Sequence, residues 1–379
     1  MPNLLLRLFA PRKPLRRLLR LVTGAVLALY LPTCAVQILP QPWFWTIGIL
    51  GIGFFYLLVL LVLLALVYLP LHKPTSLVLA CGVLLGVPLC RHMVGTSAAV
   101  FNPTLTPGHL RIMQWNCMGM GGIDTNSTLH ASFLAAKQML LTYQPDVICL
   151  QDFVNYAGAN LPSSIAFFTE TMGYKHHCFM VHYSQNYSWG KDEGGTAIFS
   201  KQPLLQTGQL PYPGKQYPEG ICWATLNVQG DTVLIASTHF QSMHLSRKPS
   251  DLPLPIFQYE DSGIINHGWL VQKLRHFQAY HAQQAQFLRG FLDTCRQPFV
   301  LAADLNSVPA SYVYGTLKPG LQDAFLEKGT GLGGTYRTRN FGIRIDYLLT
   351  SPSVAIEQFS TIDANFYDHH PLVMDITLR

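Results

Sequence analysis

The amino-acid sequence predicts a mixed α/β domain that follows about three membrane-spanning helices. Two observations support this prediction. No Asp, Glu, Lys or Arg occurs between Leu21 and Leu71, although this stretch makes up more than a tenth of the 379-residue chain. After about residue 109, short apolar runs typical of buried strands alternate with helical patterns. Strands interleaved with helices indicate one α/β domain of about 270 residues.

Three apolar stretches have about the 20 residues that a helix needs to cross a bilayer. They cover about residues 21–39, 43–69 and 76–94. The middle stretch includes GILGIGFFYLLVLLVLLALVYL, and its alternative is a buried core helix, which would need apolar surroundings on every side. We therefore assign residues 21–95 to the membrane.

The basic N-terminus, residues 1–20, sets the predicted orientation. It contains Arg and Lys but no Asp or Glu, which places it in the cytoplasm by the positive-inside rule. Three crossings then put everything after about residue 95 outside the cytoplasm, so we expect a multi-pass protein of the cell (inner) membrane. The competing interpretation is a cleaved signal peptide. The second apolar stretch argues against a wholly released product.

The net charge of +6 comes from the membrane region. The first 100 residues contain eight of the 26 Lys and Arg residues and none of the 20 Asp and Glu residues, so the remainder has a net charge near −2. A broad basic face for DNA or RNA is therefore not indicated by the composition.

The remaining chain divides into a linker, residues 96–109, and a domain, residues 110–379. The linker is polar and contains Pro103 and Pro107. Helical spacing predicts helices at Thr128 to Tyr143 and about Gly268 to Leu292. The loop from Ser242 to Asn266 has little periodicity and is expected to border the functional site. The predicted strands are the runs RIMQW, DVICLQ, GTAIFS, CWATLNV, TVLIAST, FVLAA, RIDYLLT and LVMDITL.

Polar residues recur where the predicted strands end, and strand ends meet in a crevice in open sheets. A single Asp or Asn after a strand is usually a turn former or a helix cap, and a single His is usually structural. Several at the same structural position favour a joint chemical role. They are Asn116, Asp152, His239, Asp304, Asn306, Asp346, Asp368 and His369.

Seven short motifs occur along the chain in the order WN, LQD, GGTAIFSK, STHF, ADLNS, RIDYLL and DHHP. Together they resemble the deoxyribonuclease-I-like endonuclease/exonuclease/phosphatase superfamily. That superfamily includes nucleases, apurinic endonucleases, neutral sphingomyelinases and inositol-polyphosphate 5-phosphatases. The resemblance covers about Leu110 to Arg379, and with GLQDAFLEKGTGLGGTY before RIDYLL it is most similar to multi-pass membrane members found in Bacteroidota. It implies a four-layered αββα sandwich of two mixed sheets.

The resemblance also implies a role for each residue at the strand ends. Asn116, Asp152 and Asp368 would hold or lie near Mg²⁺ or Mn²⁺, which are hard cations that prefer oxygen ligands. Asp304 would orient or deprotonate the attacking water, while Asn306 and His239 would contact the phosphate. His369 would donate a hydrogen bond to the scissile phosphate and be oriented by Asp346. Such a site must neutralise the charge of the phosphoester and activate water.

One residue departs from the superfamily pattern. The superfamily usually has Glu where this chain has Asp152, so the side chain toward the metal is one methylene shorter. Backbone adjustment or a bridging water would restore coordination. We expect weaker metal affinity or a preference for the larger Mn²⁺.

The predicted function is hydrolysis of a phosphodiester or phosphomonoester outside the cytoplasm by a membrane-anchored, metal-dependent enzyme. Tethering favours a lipid or other membrane-proximal substrate. Two alternatives remain open: a nuclease acting on extracellular DNA or RNA, and a catalytically weak, membrane-bound binding module. No protein partner is inferable from the sequence.

Overall fold

The computed structural model describes residues 13–41, 43–120, 130–157, 163–188, 190–214, 219–242, 268–337 and 342–379. The predicted loop Ser242 to Asn266 therefore lies outside the described residues except for its first residue. The same holds for residues 1–12 of the predicted cytoplasmic segment. Of the predicted helix at Thr128 to Tyr143, the structure describes the part from His130 onward.

Helices dominate the N-terminal quarter of the described chain. Their apolar side chains pack on one another around Tyr30, Phe54, Leu61 and Leu79, each of which is fully buried. We call these five helices the N-terminal bundle. They are α1 (Lys13–Thr33), α2 (Trp45–Ile52), α3 (Phe54–Leu71), α4 (Lys73–Leu85) and α5 (Val87–Arg91).

Two six-stranded mixed sheets form the rest of the fold. In the first sheet the strand order is β15-β16-β2-β3-β5-β4, and in the second it is β10-β14-β9-β8-β7-β6. The first sheet comprises β2 (Leu110–Asn116), β3 (Val147–Ala157), β4 (His176–Tyr187), β5 (Gly190–Ser200), β15 (Val354–Thr361) and β16 (Leu372–Leu378). The second comprises β6 (Gln206–Pro211), β7 (Gly220–Val228), β8 (Asp231–His239), β9 (Phe299–Asp304), β10 (Gln322–Asp323) and β14 (Asp346–Thr350).

Each sheet contains one parallel pair, β2 with β3 and β8 with β9, and its other described pairs are antiparallel. Two short ribbons accompany the sheets. They consist of β1 (Gly95–Thr96) with β11 (Thr330–Gly331), and β12 (Tyr336–Arg337) with β13 (Gly342–Ile343).

The two sheets pack face to face. Alternate residues of each strand point to opposite faces of its sheet, so each sheet has an inner face that contacts the other sheet and an outer face. Ile112 and Cys149 of the first sheet share an inner core with Ile235 and Val300 of the second. The outer face of the first sheet is covered by α6 (His130–Tyr143) and by α7 (Ser164–Ala166), which continues into a π-helical turn at Phe167–Thr171. The outer face of the second is covered by α8 (Gly268–Thr294) and α9 (Tyr312–Leu317). The remaining helices are α10 (Ala324–Lys328) and a 3₁₀ turn at Met118–Met120. The result is an α+β fold of four layers.

The three predicted membrane spans differ from the helices of the structure. The span at 43–69 is interrupted at Gly53, which separates α2 from α3, and the span at 76–94 is interrupted at Gly86, which separates α4 from α5. The first helix begins at Lys13, carries three arginines in its first turns and ends at Thr33 instead of residue 39. Within the described chain, one helix, Phe54–Leu71, is long and apolar enough to cross a membrane. Three transmembrane helices are therefore not confirmed.

The N-terminal bundle packs directly on the two-sheet domain. Val308, Ala310 and Ile345 of the domain belong to the same buried cluster as the bundle residues. Gln37 Nε2 donates to the carbonyl oxygen of Pro309 at 2.8 Å, and Arg344 Nη2 donates to the carbonyl oxygen of His92 at 2.6 Å. The predicted linker is also bound to the domain, since the amide of Ser97 donates to Gly329.

A buried ion pair joins two neighbouring strands of the first sheet. Arg111 on β2 lies opposite Asp375 on β16, and its Nε and Nη2 atoms donate to the two carboxylate oxygens at 2.6 and 2.8 Å. Both side chains are at most 1% exposed. Breaking a buried pair leaves an uncompensated charge in a medium of low dielectric constant.

We expect Asp375→Ala to lower the free energy of unfolding of the full chain by about 3–5 kcal/mol, because the buried charge of Arg111 would lose its carboxylate partner and keep neutral carbonyl acceptors. The matched control is Asp293→Ala, which removes an exposed partner of Arg289 on α8 and should cost less than about 1 kcal/mol. Denaturant unfolding of the detergent-solubilised chain measures both. Equal losses for the two variants would contradict the assignment.

Candidate active site

The strand registers bring the polar residues predicted from the sequence to one edge of the sandwich. In the second sheet, Asp304 is the direct neighbour of His239 on one side and of Asp346 on the other. In the first sheet, Asn116 ends β2 beside β3, which carries Asp152, and His369 precedes β16. Both sheets therefore contribute side chains to the same crevice.

Asp346 and His369 form a hydrogen-bonded pair that connects the sheets. His369 Nδ1 lies 2.9 Å from Asp346 Oδ2, and Gln114 Nε2 donates to Asp346 Oδ1 at 2.9 Å. Burial alone would lower the pKa of His369, but the neighbouring carboxylates of Asp346 and Asp304 outweigh burial and raise it to about 10. The imidazole is therefore positively charged at neutral pH.

Asp304 lies at the centre of the crevice and is fully buried. Asn116 Nδ2 donates to its Oδ2 at 2.8 Å, and the backbone amide of Asn306 donates to its Oδ1 at 2.9 Å. Burial and the nearby Asp346 carboxylate raise the pKa of Asp304 to about 6, although His369 and His239 oppose the shift. A carboxylate with a pKa near neutrality is suited to accept a proton from water.

Asn306 and His239 lie beside Asp304. The Asn306 side chain donates to the carbonyl oxygen of Phe240 at 2.8 Å, and its Nδ2 is 3.2 Å from His239 Nε2. His239 also lies between two carboxylates, 3.4 Å from Asp152 and 3.6 Å from Asp304. Burial lowers the pKa of His239, but these carboxylates outweigh it and raise the pKa.

Asp152 adopts an unusual backbone conformation. It lies in a bulge of β3 between Leu150 and Phe153, its φ is +46°, and half of its side chain is exposed. Asn116 donates to its carboxylate at 3.2 Å. Burial opposes ionisation, but His239 and Asn116 outweigh it and lower the pKa of Asp152. The carboxylate is therefore ionised and reachable from solvent.

The crevice has donor atoms that suit a divalent cation. Asp304, Asp346 and His369 offer ligand atoms that all lie within 4.8 Å of one another. Asp368 Oδ1 is buried and has no hydrogen-bond partner within the described chain, so this oxygen can accept a cation or a water molecule. Oxygen donors of this kind fit Mg²⁺ or Mn²⁺. The Nδ1 atom of His369 is a poorer ligand, because it donates its proton to Asp346.

Four residues around the crevice were not predicted from the sequence. Gln114 holds Asp346, and Tyr336 packs its ring on that of His369 with centroids 4.9 Å apart. His182 and Glu219 are close enough to Asp152 and His239 to interact electrostatically with them. Burial raises the pKa of Glu219 to about 8. Gln114 could have been noticed as a polar residue inside an apolar run. Tyr336, His182 and Glu219 have no comparable sequence signal.

Several solved structures are similar to this chain. An endonuclease/exonuclease/phosphatase family protein from Bacteroides thetaiotaomicron is 13% identical over 73% of this chain and 100% of that chain, with a TM-score of 0.50. The human Nocturnin catalytic domain, with bound sulfate, is 18% identical over 72% of this chain and 94% of that chain, with a TM-score of 0.49. A Bacteroides thetaiotaomicron mannosyl-6-phosphatase is 12% identical over 71% and 100%, with a TM-score of 0.48.

A comparison with curated proteins finds no match. The family comparison is decisive, because the model of one family matches residues 113–365, about two thirds of the chain and nearly the whole two-sheet domain. The chain belongs to the Endonuclease/Exonuclease/phosphatase family.

Proposed function

We propose that this protein is a membrane-anchored, metal-dependent phosphoesterase that hydrolyses a phosphodiester or phosphomonoester outside the cytoplasm. The observation that carries the proposal is the arrangement of Asp304 against the Asp346–His369 pair. It places a carboxylate with a pKa near neutrality beside a positively charged imidazole. Family membership supports the same reaction class, since its members hydrolyse phosphoesters.

Asn116, Asp152 and Asp368 would hold Mg²⁺ or Mn²⁺. When bound, the cation neutralises charge on the phosphoester and polarises a phosphoryl oxygen. The carboxylates of Asp152 and Asp368 supply oxygen ligands, and the unpartnered Oδ1 of Asp368 fits this use.

The protein residues supply the remaining chemistry. Asp304 accepts a proton from the attacking water. The backbone amide of Asn306 donates to Asp304, and its side-chain amide lies beside His239. From this position the side-chain amide donates to a phosphate oxygen. His369 is held by Asp346 and donates its remaining N–H to the phosphate. These positively charged or proton-donating groups stabilise the negative charge that develops on the phosphate oxygens.

The N-terminal bundle supplies the proposed anchor. Only 22% of the helix Phe54–Leu71 is buried in the structure, although the helix is almost entirely apolar. A helix that exposes this much apolar surface needs a non-aqueous environment. The basic residues that precede it favour a cytoplasmic N-terminus and an extracytoplasmic domain.

The alternatives differ in substrate and in turnover. A nuclease would share this chemistry, but the net charge of the domain is slightly negative, which weakens affinity for a polyanion. A catalytically weak binding module has one supporting feature, Asp152 in place of Glu. A screen of the full chain in detergent against nucleic acids, phospholipids, sphingomyelin and inositol phosphates, with Mg²⁺ and with Mn²⁺, separates these functions.

We expect Asp304→Asn to reduce hydrolysis of bis-p-nitrophenyl phosphate by about 10²–10⁴-fold, because an amide cannot accept the proton of water. The matched control is Asp293→Asn, since Asp293 is an exposed carboxylate near the end of α8, which covers the outer face of the second sheet, and this variant should retain wild-type activity. Chelation of divalent cations should abolish the activity of both the wild type and the control. No turnover by the wild type with any divalent cation would refute the proposed enzyme.

We expect Asp152→Glu to lower the metal concentration needed for half-maximal activity, because the longer side chain reaches further toward the cation. Titration of the wild type and the variant with Mg²⁺ and Mn²⁺ measures the change. The gain should be larger for the smaller Mg²⁺. Identical titration curves would show that the backbone of the wild type already compensates for the lost methylene.

The bundle also contacts the loop that carries Asn306. The carbonyl oxygen of Ala310, four residues further along, packs so closely on Gly51 of α2 that a Cβ at this glycine would overlap it. We expect Gly51→Ala to displace the loop and reduce kcat by about 10²-fold, the cost of misplacing a catalytic group by about 1 Å. Gly24→Ala is the control, because no atom lies within 4 Å of the added methyl group. Equal kcat values in both variants would mean that the loop does not depend on the bundle.

We expect the chain to remain in the membrane pellet after alkaline carbonate extraction. A charged substitution on the exposed side of the anchor, Leu66→Asp, should release a substantial fraction, since an acidic residue at the centre of a spanning helix costs about 3 kcal/mol. Glu357→Asp in the two-sheet domain controls for general damage. Complete release of the wild type would exclude an integral anchor.

A further inference from the structure

Two buried thiols face each other between the two sheets. Cys178 lies on β4 of the first sheet and Cys222 lies on β7 of the second, and their Sγ atoms are 3.2 Å apart. Cys178 is 7% exposed and Cys222 is fully buried. Cys222 also contacts the carbonyl oxygen of Cys178 through its thiol. The two side chains therefore point at one another across the inner core.

Residues next to the two cysteines pack in the same inner core, since Met180 and Ala224 belong to the buried cluster that contains Cys178 and Cys222. Two residues before Cys222, a Cβ at Gly220 would overlap the Met180 side chain, which lies two residues after Cys178. A disulfide has an S–S distance of about 2.05 Å, so closing the pair requires an approach of about 1 Å. Because the two Sγ atoms already face each other at 3.2 Å, small rotations of the two side chains supply most of that movement.

We propose that Cys178 and Cys222 form a disulfide that joins the two sheets in the mature protein. The inference rests on the proposed extracytoplasmic location, where disulfides persist. Both thiols are buried once the domain has folded, so the bond forms while the chain folds.

The reaction is a thiol–disulfide exchange with an external disulfide, such as a disulfide-carrying oxidase protein or oxidised glutathione. Cys178 loses its proton and its thiolate attacks one sulfur of the oxidant, which releases one thiol and leaves a mixed disulfide. The Cys222 thiolate then attacks the Cys178 sulfur and releases the second thiol. Two protein thiols are thereby oxidised, and one external disulfide is reduced to two thiols.

The bond would join the strands on one flank of the active site. Cys178 lies four residues before His182, and Cys222 lies three residues after Glu219. His182 and Glu219 both interact electrostatically with Asp152 and His239. A covalent link limits how far these two strands can separate. It would therefore hold this flank of the crevice at a constant width.

The test uses the full chain, purified from membranes without reductant and with its free thiols blocked by an alkylating agent under denaturing conditions. Mass spectrometry of a non-reducing digest should find the peptides of Cys178 and Cys222 linked, and six of the eight cysteines alkylated. Cys149→Ala, which removes a buried cysteine of the same core, should keep the link. Cys222→Ala should leave Cys178 alkylated. Alkylation of both residues in the wild type would overturn the proposal.

Two further measurements separate this proposal from the proposed function. Added reductant should lower the melting temperature of the wild type but not of Cys222→Ala, and equal responses would overturn the disulfide. Protease digestion of sealed vesicles reports independently on the side of the membrane that holds the domain. An extracytoplasmic, active domain with both thiols free would refute the disulfide and leave the phosphoesterase proposal intact. A cytoplasmic domain would refute the proposed location, and the substrate screen would still test hydrolysis.

Discussion

The buried carboxylate of Asp346 is the interaction on which the rest of the site depends. It belongs to the second sheet, yet it accepts hydrogen bonds from Gln114 and His369, which belong to the first sheet or precede one of its strands. Its backbone amide is in turn held by the Thr335 hydroxyl. A carboxylate that is only 1% exposed needs such donors, since an unsatisfied buried charge is strongly destabilising. The hydrogen bonds from Gln114 and His369 that stabilise Asp346 therefore also fix the position of the two sheets relative to each other and the orientation of the His369 ring.

The sequence predicted eight of the twelve strands in the two six-stranded sheets, missed β4, β6, β10 and β15, and predicted the contacts between strands poorly. Apolar runs such as FVLAA and LVMDITL indicate strands because burial on both faces leaves no polar alternation, and a polar residue at the end of such a run is conspicuous. All eight predicted residues lie at the same edge of the structure for this reason. The contact of Gln114 with Asp346 escaped prediction because the two residues are more than two hundred positions apart and lie in different sheets, so only the packing of the sheets brings them together. The roles of these residues stay predictions, whereas the family and the two mixed sheets are confirmed.

The N-terminal region shows what composition cannot predict. The hydropathy of an apolar stretch is the same whether the stretch forms one helix or two. The interruptions at Gly53 and Gly86 were therefore not predicted. Nor does composition reveal that Gly51 faces Ala310, a contact that only a residue without a side chain allows. The bundle consequently packs on the loop that carries Asn306. An isolated domain would expose Val308, Ala310 and Ile345 to water, so the bundle and the domain act as one structural unit.

Asp152, which stands where the superfamily usually has Glu, has an unusual backbone conformation. Four non-glycine residues with positive φ, Met118, Met120, Asp152 and Asn306, lie in or directly beside the active-site crevice, where strained conformations are commonly stored. Asp tolerates the left-handed region because its short polar side chain can form local hydrogen bonds, and Asn116 provides one here. The bulge that produces this conformation shifts Asp152 out of regular pairing with β5. Such a bulge re-aims a side chain, and here the Asp152 carboxylate is held between Asn116 and His239 at the edge of the crevice.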